Sequence, residues 1–167
     1  DIWEHRQFTQ VKPPPIERLI HEGDTVMVQV VKDPIGTKGA RLSTQVSLAG
    51  RMLVYLPQDP HIGISQRIED EAERTQLRET LKRLVPPEEK GGYIIRTSAE
   101  DATEQDLTND LDYLRVLWGR ILERRAGSGT PSMRYQELSL AQRVLRDIAT
   151  EETTTIHVDS RENFQKL

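Results

Sequence analysis

At 167 residues the chain has room for one ordinary domain or two small pieces, and its formal net charge of −4 gives it no overall positive field of the kind that draws nucleic acid. It has no cysteine, which excludes a disulfide scaffold, a thiolate zinc site and a cysteine nucleophile, and fits a reducing compartment. No stretch approaches the ~20 apolar residues of a membrane-spanning helix, no charged-then-apolar leader opens the chain, and Asp1 in place of methionine reads as the start of a fragment.

Residues 1–24 contain the run Pro13-Pro14-Pro15 and then His21-Glu22-Gly23-Asp24, a loop or extended arm with room for one helical turn at Ile16–His21. Thr25–Lys32 is β-branched and bounded by Gly-Asp and Asp-Pro, which predicts a strand. Turn chemistry fills Lys32–Gly39. A second strand is expected over Ala40–Leu48 and a third over Arg51–Leu56, stopped by Pro57. Ile68, Ala72, Leu77, Leu81 and Leu84 approximate one face of a helix over Glu69–Leu84, ended by Pro86-Pro87. Tyr93–Thr97 follows Gly91-Gly92 as a short buried strand. Leu107, Leu111, Leu114, Trp118, Ile121 and Leu122 predict the longest helix, Thr103–Arg125, with acids in its first turns and arginines in its last, as the helix dipole favours. Gly127-Ser128-Gly129 reads as a connector. Ser139-x-x-Gln142 is a capping box for a helix to about Ala149, Thr154–Val158 reads as a strand, and a helical tail follows Ser160. Strands and helices mix without a regular βαβ repeat, so the fold class is α+β, a small mixed sheet with packed helices.

The charges are segregated. Arginines outnumber lysines 17 to 6, and Arg is the type suited to bidentate phosphate recognition. Thr25–Arg67 carries Lys32, Lys38, Arg41, Arg51 and Arg67 against Asp33 and Asp59, whereas Glu100–Asp112 holds six acids and no base. The acids read as a solvated helix face.

No catalytic or metal constellation emerges. Gly36-Thr-Lys-Gly39 lacks phosphate-loop spacing, the four histidines are scattered without metal-ligand spacing, and no Gly-x-Ser-x-Gly is present. Three segments carry more. Lys38 sits in a glycine-rich turn that either presents a lysine and backbone amides to a phosphate or is an ordinary hairpin turn. Arg96 and Thr97 end an apolar strand, where a guanidinium beside a hydroxyl forms a donor set for a terminal phosphate, or else the arginine pairs with a nearby acid. Gly50, at a strand edge in Gly50–Val54, permits close backbone approach.

Together these segments resemble the ribonuclease E / ribonuclease G family of bacterial endoribonucleases, and the ribonuclease G branch in particular. The blocks VQVVKDPIGTKGARLSTQVSLAGRMLVYLP, GISQRIE, GGYIIRTSAE, LSLAQRVLRD and HVDS follow that family in order over about residues 20–167. The resemblance implies that residues 1–48 are the end of an OB-type RNA-binding domain, 49–142 a 5′-sensor domain and 143–167 part of a ribonuclease-H-like domain. It places the magnesium-binding aspartates, a cysteine-containing zinc link and an oligomerisation domain outside the chain. No catalytic residue, metal ligand or cofactor is therefore assigned here, and the piece is expected to be inactive alone. The parent is implied to be a cytoplasmic, homo-oligomeric, magnesium-dependent endoribonuclease of RNA processing and decay.

Carried over by motif, Arg96 and Thr97 match the pair that grips a 5′-monophosphate, Gly50 and Val54 the lining of the terminal-nucleotide pocket, and Lys38 an RNA-contacting OB lysine. Arg67 lies beside the pocket, with Gln66 where the family is often basic. The implied partner is single-stranded RNA with a 5′-monophosphate. The alternative is a non-catalytic module that binds protein or structured RNA and carries a vestigial phosphate pocket.

Overall fold

The computed structural model describes residues 14–127, 129–150 and 152–167. The arm through Pro13, and Ser128 of the connector, lie outside the described residues. The architecture is α+β, with four helices and two small sheets, and there is no closed barrel among the described residues.

A 3-10 turn at Ile16–Arg18 leads to β1 (Gln29–Lys32), which pairs antiparallel with β2 (Arg41–Ser43). This two-stranded hairpin stands apart from the main sheet and leaves Val30, Val31, Ile35 and Leu42 exposed. The Gln29 side-chain amide clasps Ser47, donating to its carbonyl and accepting from its N–H, both at 2.9 Å. The expected strands are shorter than predicted. Thr25–Val28 is not in a strand, and Ala40–Leu48 divides between two sheets, because Ser43 turns the chain by accepting from the Gln45 N–H at 3.1 Å.

The main sheet has the order β3-β4-β6-β5, from β3 (Leu48–Ala49), β4 (Leu53–Leu56), β5 (Ile62–Ile64) and β6 (Gly92–Ile95). The first three are antiparallel neighbours, and β5 runs parallel to β6 along its far edge. Strand β5 is absent from the sequence-based expectation: three residues with a central glycine are too short to show alternation. Gly92 is required beside it, since a Cβ there would lie 2.2 Å from the His61 carbonyl oxygen and 2.4 Å from that of Asp59.

Strand alternation divides the sheet into two faces. Leu48, Leu53, Tyr55, Tyr93 and Ile95 point to one face and are buried. Helix α1 (Glu71–Leu84) adds Leu77 and Leu81 to that core, and α2 (Glu104–Gly127) adds Leu107, Leu111, Leu114 and Ile121 at spacings of four, three and seven. Leu122 falls off that stripe and is exposed. Asp70 caps α1 by accepting from the Glu73 N–H at 2.9 Å, which starts the helix two residues later than expected. Thr103 and Asp106 cap α2 reciprocally: the Thr103 hydroxyl accepts the Asp106 N–H, and the Asp106 carboxylate accepts the Thr103 N–H.

Tyr93 ties sheet to helix. Its hydroxyl donates to Glu89, whose other oxygen accepts two bonds from Arg115 of α2, at 2.8 and 3.1 Å. Burial and the Glu89 carboxylate both push the Tyr93 phenol upward, so it is a neutral donor at every ordinary pH.

Ser139 and Gln142 form the expected capping box at the start of α3 (Leu140–Ile148), and α4 (Arg161–Lys166) is the expected tail. Thr154–Val158 is not a strand. Thr150 and Thr153 close a turn just before it, and no sheet edge among the described residues pairs with the segment.

Candidate functional site

The β3–β4 turn carries Gly50, Arg51 and Met52, which is why the third strand starts at Leu53 instead of Arg51. The Gly50 N–H donates to Leu53 O at 2.8 Å, closing the turn. The turn faces the end of β6, where the Arg96 N–H donates to Met52 O at 2.8 Å. Beside them the Ser65 N–H donates to Ile95 O at 2.8 Å, prolonging the β5–β6 pairing. The chain then turns through Arg67, with the Arg67 N–H donating to Ser65 Oγ and the Ile68 N–H to Ser65 O, both at 3.3 Å. Gly50, Arg96, Thr97 and Arg67, four of the six residues singled out by sequence, thus gather at one end of the sheet.

Every N–H of residues 51–53 ends on one carboxylate. Asp110 of α2 accepts from Arg51 at 2.8 Å, Met52 at 2.9 Å and Leu53 at 2.8 Å. Its side chain is buried at 8% exposure, so it corrects the expectation that the acids at 100–112 form a solvated face. The sequence held a signal for this: Asp110 follows Leu107 by three and precedes Leu114 by four, inside the apolar stripe. The same carboxylate dictates Gly50, because a Cβ there would lie 2.4 Å from one Asp110 oxygen and 2.6 Å from the other.

The carbonyls of the turn are held from the opposite side. Arg96 Nη1 donates to Gly50 O at 2.5 Å and to Arg51 O at 2.8 Å, and Ser98 Oγ donates to Arg51 O at 2.5 Å. Arg146, from the last turn of α3, donates through Nη1 to Ala49 O at 2.8 Å. The Arg96 side chain thus has the nearby acid that one of its two sequence readings expects. It is anchored structurally, with Asp147 Oδ1 at 3.6 Å from Nη1, while its Nε and Nη2 have no hydrogen-bonded partner among the described residues. The side chain is 32% exposed. Thr97 is half-buried and opens a 3-10 turn, and its hydroxyl makes no hydrogen bond among the described residues.

Val54 lies in register with Ala49 on one side and Ile94 on the other, and Ile94 with Gly63. This row of four half-buried residues lies on the sheet face away from the core, a shallow apolar floor next to Gly50 and Arg96. Lys38 is separate. It is exposed in the turn between β1 and β2, bridged to Ile35, on the other sheet. Arg67 is exposed, and its turn is braced by Arg74, whose Nη1 donates to Ser65 O at 2.8 Å and Ile68 O at 2.9 Å. A cleft of about 170 Å³ opens on the other side of the β3–β4 turn, lined by Arg51, Met52, Asp106, Asn109 and Asp110.

The electrostatics centre on Arg146 and Asp147. Arg146 Nε and Nη2 donate to the two Asp147 oxygens at 2.8 and 3.2 Å. These bonds, with the Arg96 charge nearby, hold the Asp147 carboxyl below its ordinary range, and Asp147 raises Arg146 in return. Both close the LSLAQRVLRD block of the family resemblance, but nothing in the sequence singles out either as a site residue, since an adjacent Arg-Asp pair near a helix end reads as ordinary surface charge. Among the described residues no group of three or more His, Asp or Glu is placed to hold a metal ion, and no helix is long and apolar enough to cross a membrane.

Residues 47–167 match the family model described as the ribonuclease E/G family. The chain belongs to that family. It is 47% identical over 164 residues to ribonuclease G of Salmonella typhimurium (strain SL1344), an alignment that covers 98% of this chain and 32% of the relative. With ribonuclease G of Haemophilus influenzae (strain ATCC 51907 / DSM 11121 / KW20 / Rd) the identity is 46% over 166 residues, again 98% and 32%. Ribonuclease E of Nostoc sp. (strain PCC 7120 / SAG 25.82 / UTEX 2576) is further away, at 34% over 152 residues, 91% of this chain and 22% of that protein. The chain thus spans about a third of the length of its ribonuclease G relatives, and its resemblance to them exceeds its resemblance to ribonuclease E.

Proposed function

We propose that this chain is the RNA-end-recognition piece of a ribonuclease E/G-type endoribonuclease, and that the sheet end formed by Gly50, Val54, Arg96 and Thr97 receives a 5′-monophosphate and its nucleotide. The observation that carries this reading is the posture of Arg96. One guanidinium nitrogen is spent on two backbone carbonyls, which fixes the plane of the group. The Nε–Nη2 edge, the fork that suits a phosphate, is left for an external acceptor. Thr97 offers a hydroxyl beside it, and the Ala49–Val54–Ile94–Gly63 floor offers apolar surface for a ribose or base. A terminal monophosphate is a compact dianion that these groups can surround. A hydroxyl end leaves the fork unpaired, and a triphosphate overfills the space.

Lys38 and Arg67 belong to a wider RNA path in this reading, as backbone contacts without sequence preference. The division into an OB-type end, a sensor and a ribonuclease-H-like part is retained as part of the proposal. So are the parent's magnesium-dependent, single-strand-specific cleavage, its zinc link, its homo-oligomeric state and its cytoplasmic location.

The test is binding of two oligoribonucleotides of one sequence, with 5′-phosphate or 5′-hydroxyl, to the chain and to Arg96→Ala. The phosphorylated RNA is expected to bind more tightly, and Arg96→Ala to abolish the difference. Equal binding of both ends by the unmodified chain sinks the reading. A partner interaction that a mononucleotide 5′-phosphate fails to compete for favours the interaction-module alternative.

A further inference from the structure

Two guanidiniums, from distant parts of the chain, converge on one carboxylate oxygen. Asp147 Oδ1 lies 2.8 Å from Arg146 Nε and 3.6 Å from Arg96 Nη1. Each guanidinium is fixed independently by the same turn, Arg146 through Ala49 O and Arg96 through Gly50 O and Arg51 O. We propose that the space between Arg96 and Arg146 is a two-guanidinium anion seat, that Asp147 occupies it in the free chain, and that a terminal phosphate binds by displacing Asp147. Arg146 is thereby a second phosphate ligand and Asp147 an internal competitor. The inference rests on the end-recognition reading above.

Three features support it. The edge that Arg146 turns to Asp147 is Nε–Nη2, the bidentate fork, while Nη1 alone does the anchoring. At Arg96 Nη1 likewise does the anchoring, but Nη1 is also the nitrogen nearest Asp147, so a phosphate that replaces Asp147 reaches the open fork of Arg96 by extending past Nη1 to Nη2. Asp147 is built to leave: it lies in the last turn of α3, its side chain is 35% exposed, and rotating it breaks no backbone bond of the helix. The charges also favour exchange. A terminal phosphate carries about −1.5 to −2 at neutral pH against the single charge of a carboxylate, so two guanidiniums prefer it. Glu137, with an oxygen 4.0 Å from Arg146 Nη1, is the other acid facing this arginine, and it lies on the anchoring side.

The experiment measures affinity for the phosphorylated and hydroxyl oligoribonucleotides by fluorescence anisotropy, using the 167-residue chain and its Asp147→Asn, Asp147→Ala, Arg146→Gln and Arg96→Ala variants. Thermal unfolding of each variant reports its folding. Removing the competitor is expected to raise affinity for the phosphorylated RNA about two- to fivefold in both Asp147 variants, the range set by a partly exposed ion pair. The hydroxyl RNA changes by a smaller factor, and Arg146→Gln weakens only the phosphorylated RNA. Unchanged or weaker phosphate-end binding in both folded Asp147 variants overturns the inference. So does an equal rise for the hydroxyl RNA, which is the general effect of one less negative charge, or a folded Arg146→Gln that binds as the unmodified chain does. If the unmodified chain does not distinguish the two ends and Arg96→Ala changes nothing, it is the end-recognition reading that has failed.

Discussion

Removing the Asp110 carboxylate strands three backbone N–H groups at once. Those of Met52 and Leu53 are buried, and that of Arg51 is part-buried. A buried donor left unpaired costs about 1–3 kcal/mol, so Asp110→Ala is expected to cost roughly 3–5 kcal/mol once water entering from the adjoining cleft is allowed for. That is a large share of the ~5–15 kcal/mol that holds a domain of this size. Asp110→Asn does not rescue it. An amide supplies one acceptor oxygen, and its NH2 then meets an N–H donor, for an expected loss of about 2–4 kcal/mol. Gly50→Ala is destabilising for the complementary reason, since its methyl overlaps both carboxylate oxygens.

The two positions should therefore be coupled, and the coupling is the sharper test. Urea unfolding followed by far-UV circular dichroism on Gly50→Ala, Asp110→Ser and the double variant closes a thermodynamic cycle. The alanine at 50 is expected to cost about 1–3 kcal/mol less when residue 110 is serine, because the shorter side chain vacates the space. Additivity of the two single losses within about 0.5 kcal/mol would falsify the claim that the Asp110 carboxylate sets the identity of residue 50. An Asp110→Asn variant whose stability matches the parent's contradicts instead the assignment of three N–H donors to one carboxylate.

Thr103→Ala removes one half of the α2 capping box and is expected to lower stability by about 1 kcal/mol in the same urea assay. Asp147 and Asp106 both titrate below their ordinary value of 3.8, Asp147 chiefly through Arg146 and Asp106 through Thr103. A carboxyl depressed by folding adds stability that is present above its unfolded value and lost as pH falls through its folded one. Asp147→Asn and Thr103→Ala are therefore each expected to flatten the loss of stability below about pH 4. A pH profile parallel to the parent's for both would contradict this. Tyr93→Phe removes the hydroxyl that Glu89 accepts and is expected to cost about 1–3 kcal/mol, with little change in RNA binding, since the Tyr93–Glu89–Arg115 tie faces the core and α2.

What the sequence disclosed followed from periodicity. The α2 stripe, the capping box at Ser139, the turn chemistry before β2 and the short apolar run of β6 are each patterns within a few residues, and each appears in the structure. The motif residues at 50, 67, 96 and 97 were legible as candidates, and their gathering at one sheet end follows from β4, β5 and β6 sharing that end. Three things were hidden. Strand β5 is a strand only because β6 offers it a parallel edge, and no local pattern records that. Thr154–Val158 shows the converse, a β-branched run without an edge to join among the described residues. Asp110 acts over separations of 57, 58 and 59 residues and Arg146 over 97, while Asp147 meets Arg96 from a distant part of the chain, and a charge in an acidic or mixed-charge run carries no mark of the group it will meet.

The long-range contacts of Asp110 and Arg146 share one target, and that bears on how the site works. The β3–β4 turn is a five-residue strip whose N–H edge belongs to Asp110 and whose C=O edge belongs to Arg96, Ser98 and Arg146. A strip saturated on both edges cannot shift without breaking several charged hydrogen bonds, so the two arginines are presented in fixed register before any ligand arrives. Fixing the donors in advance lowers the ordering cost of binding a small, highly charged group. It also separates two classes of variant that would otherwise look alike. Changes on the amide edge, at Asp110 or Gly50, should act mainly on stability. Changes on the carbonyl edge remove guanidiniums that are only partly committed to the fold, so they should act mainly on anion affinity. Loss of stability and loss of phosphate-end preference should therefore segregate by edge of the turn, and a folded Asp110 variant should keep whatever preference its remaining Arg96 geometry supports.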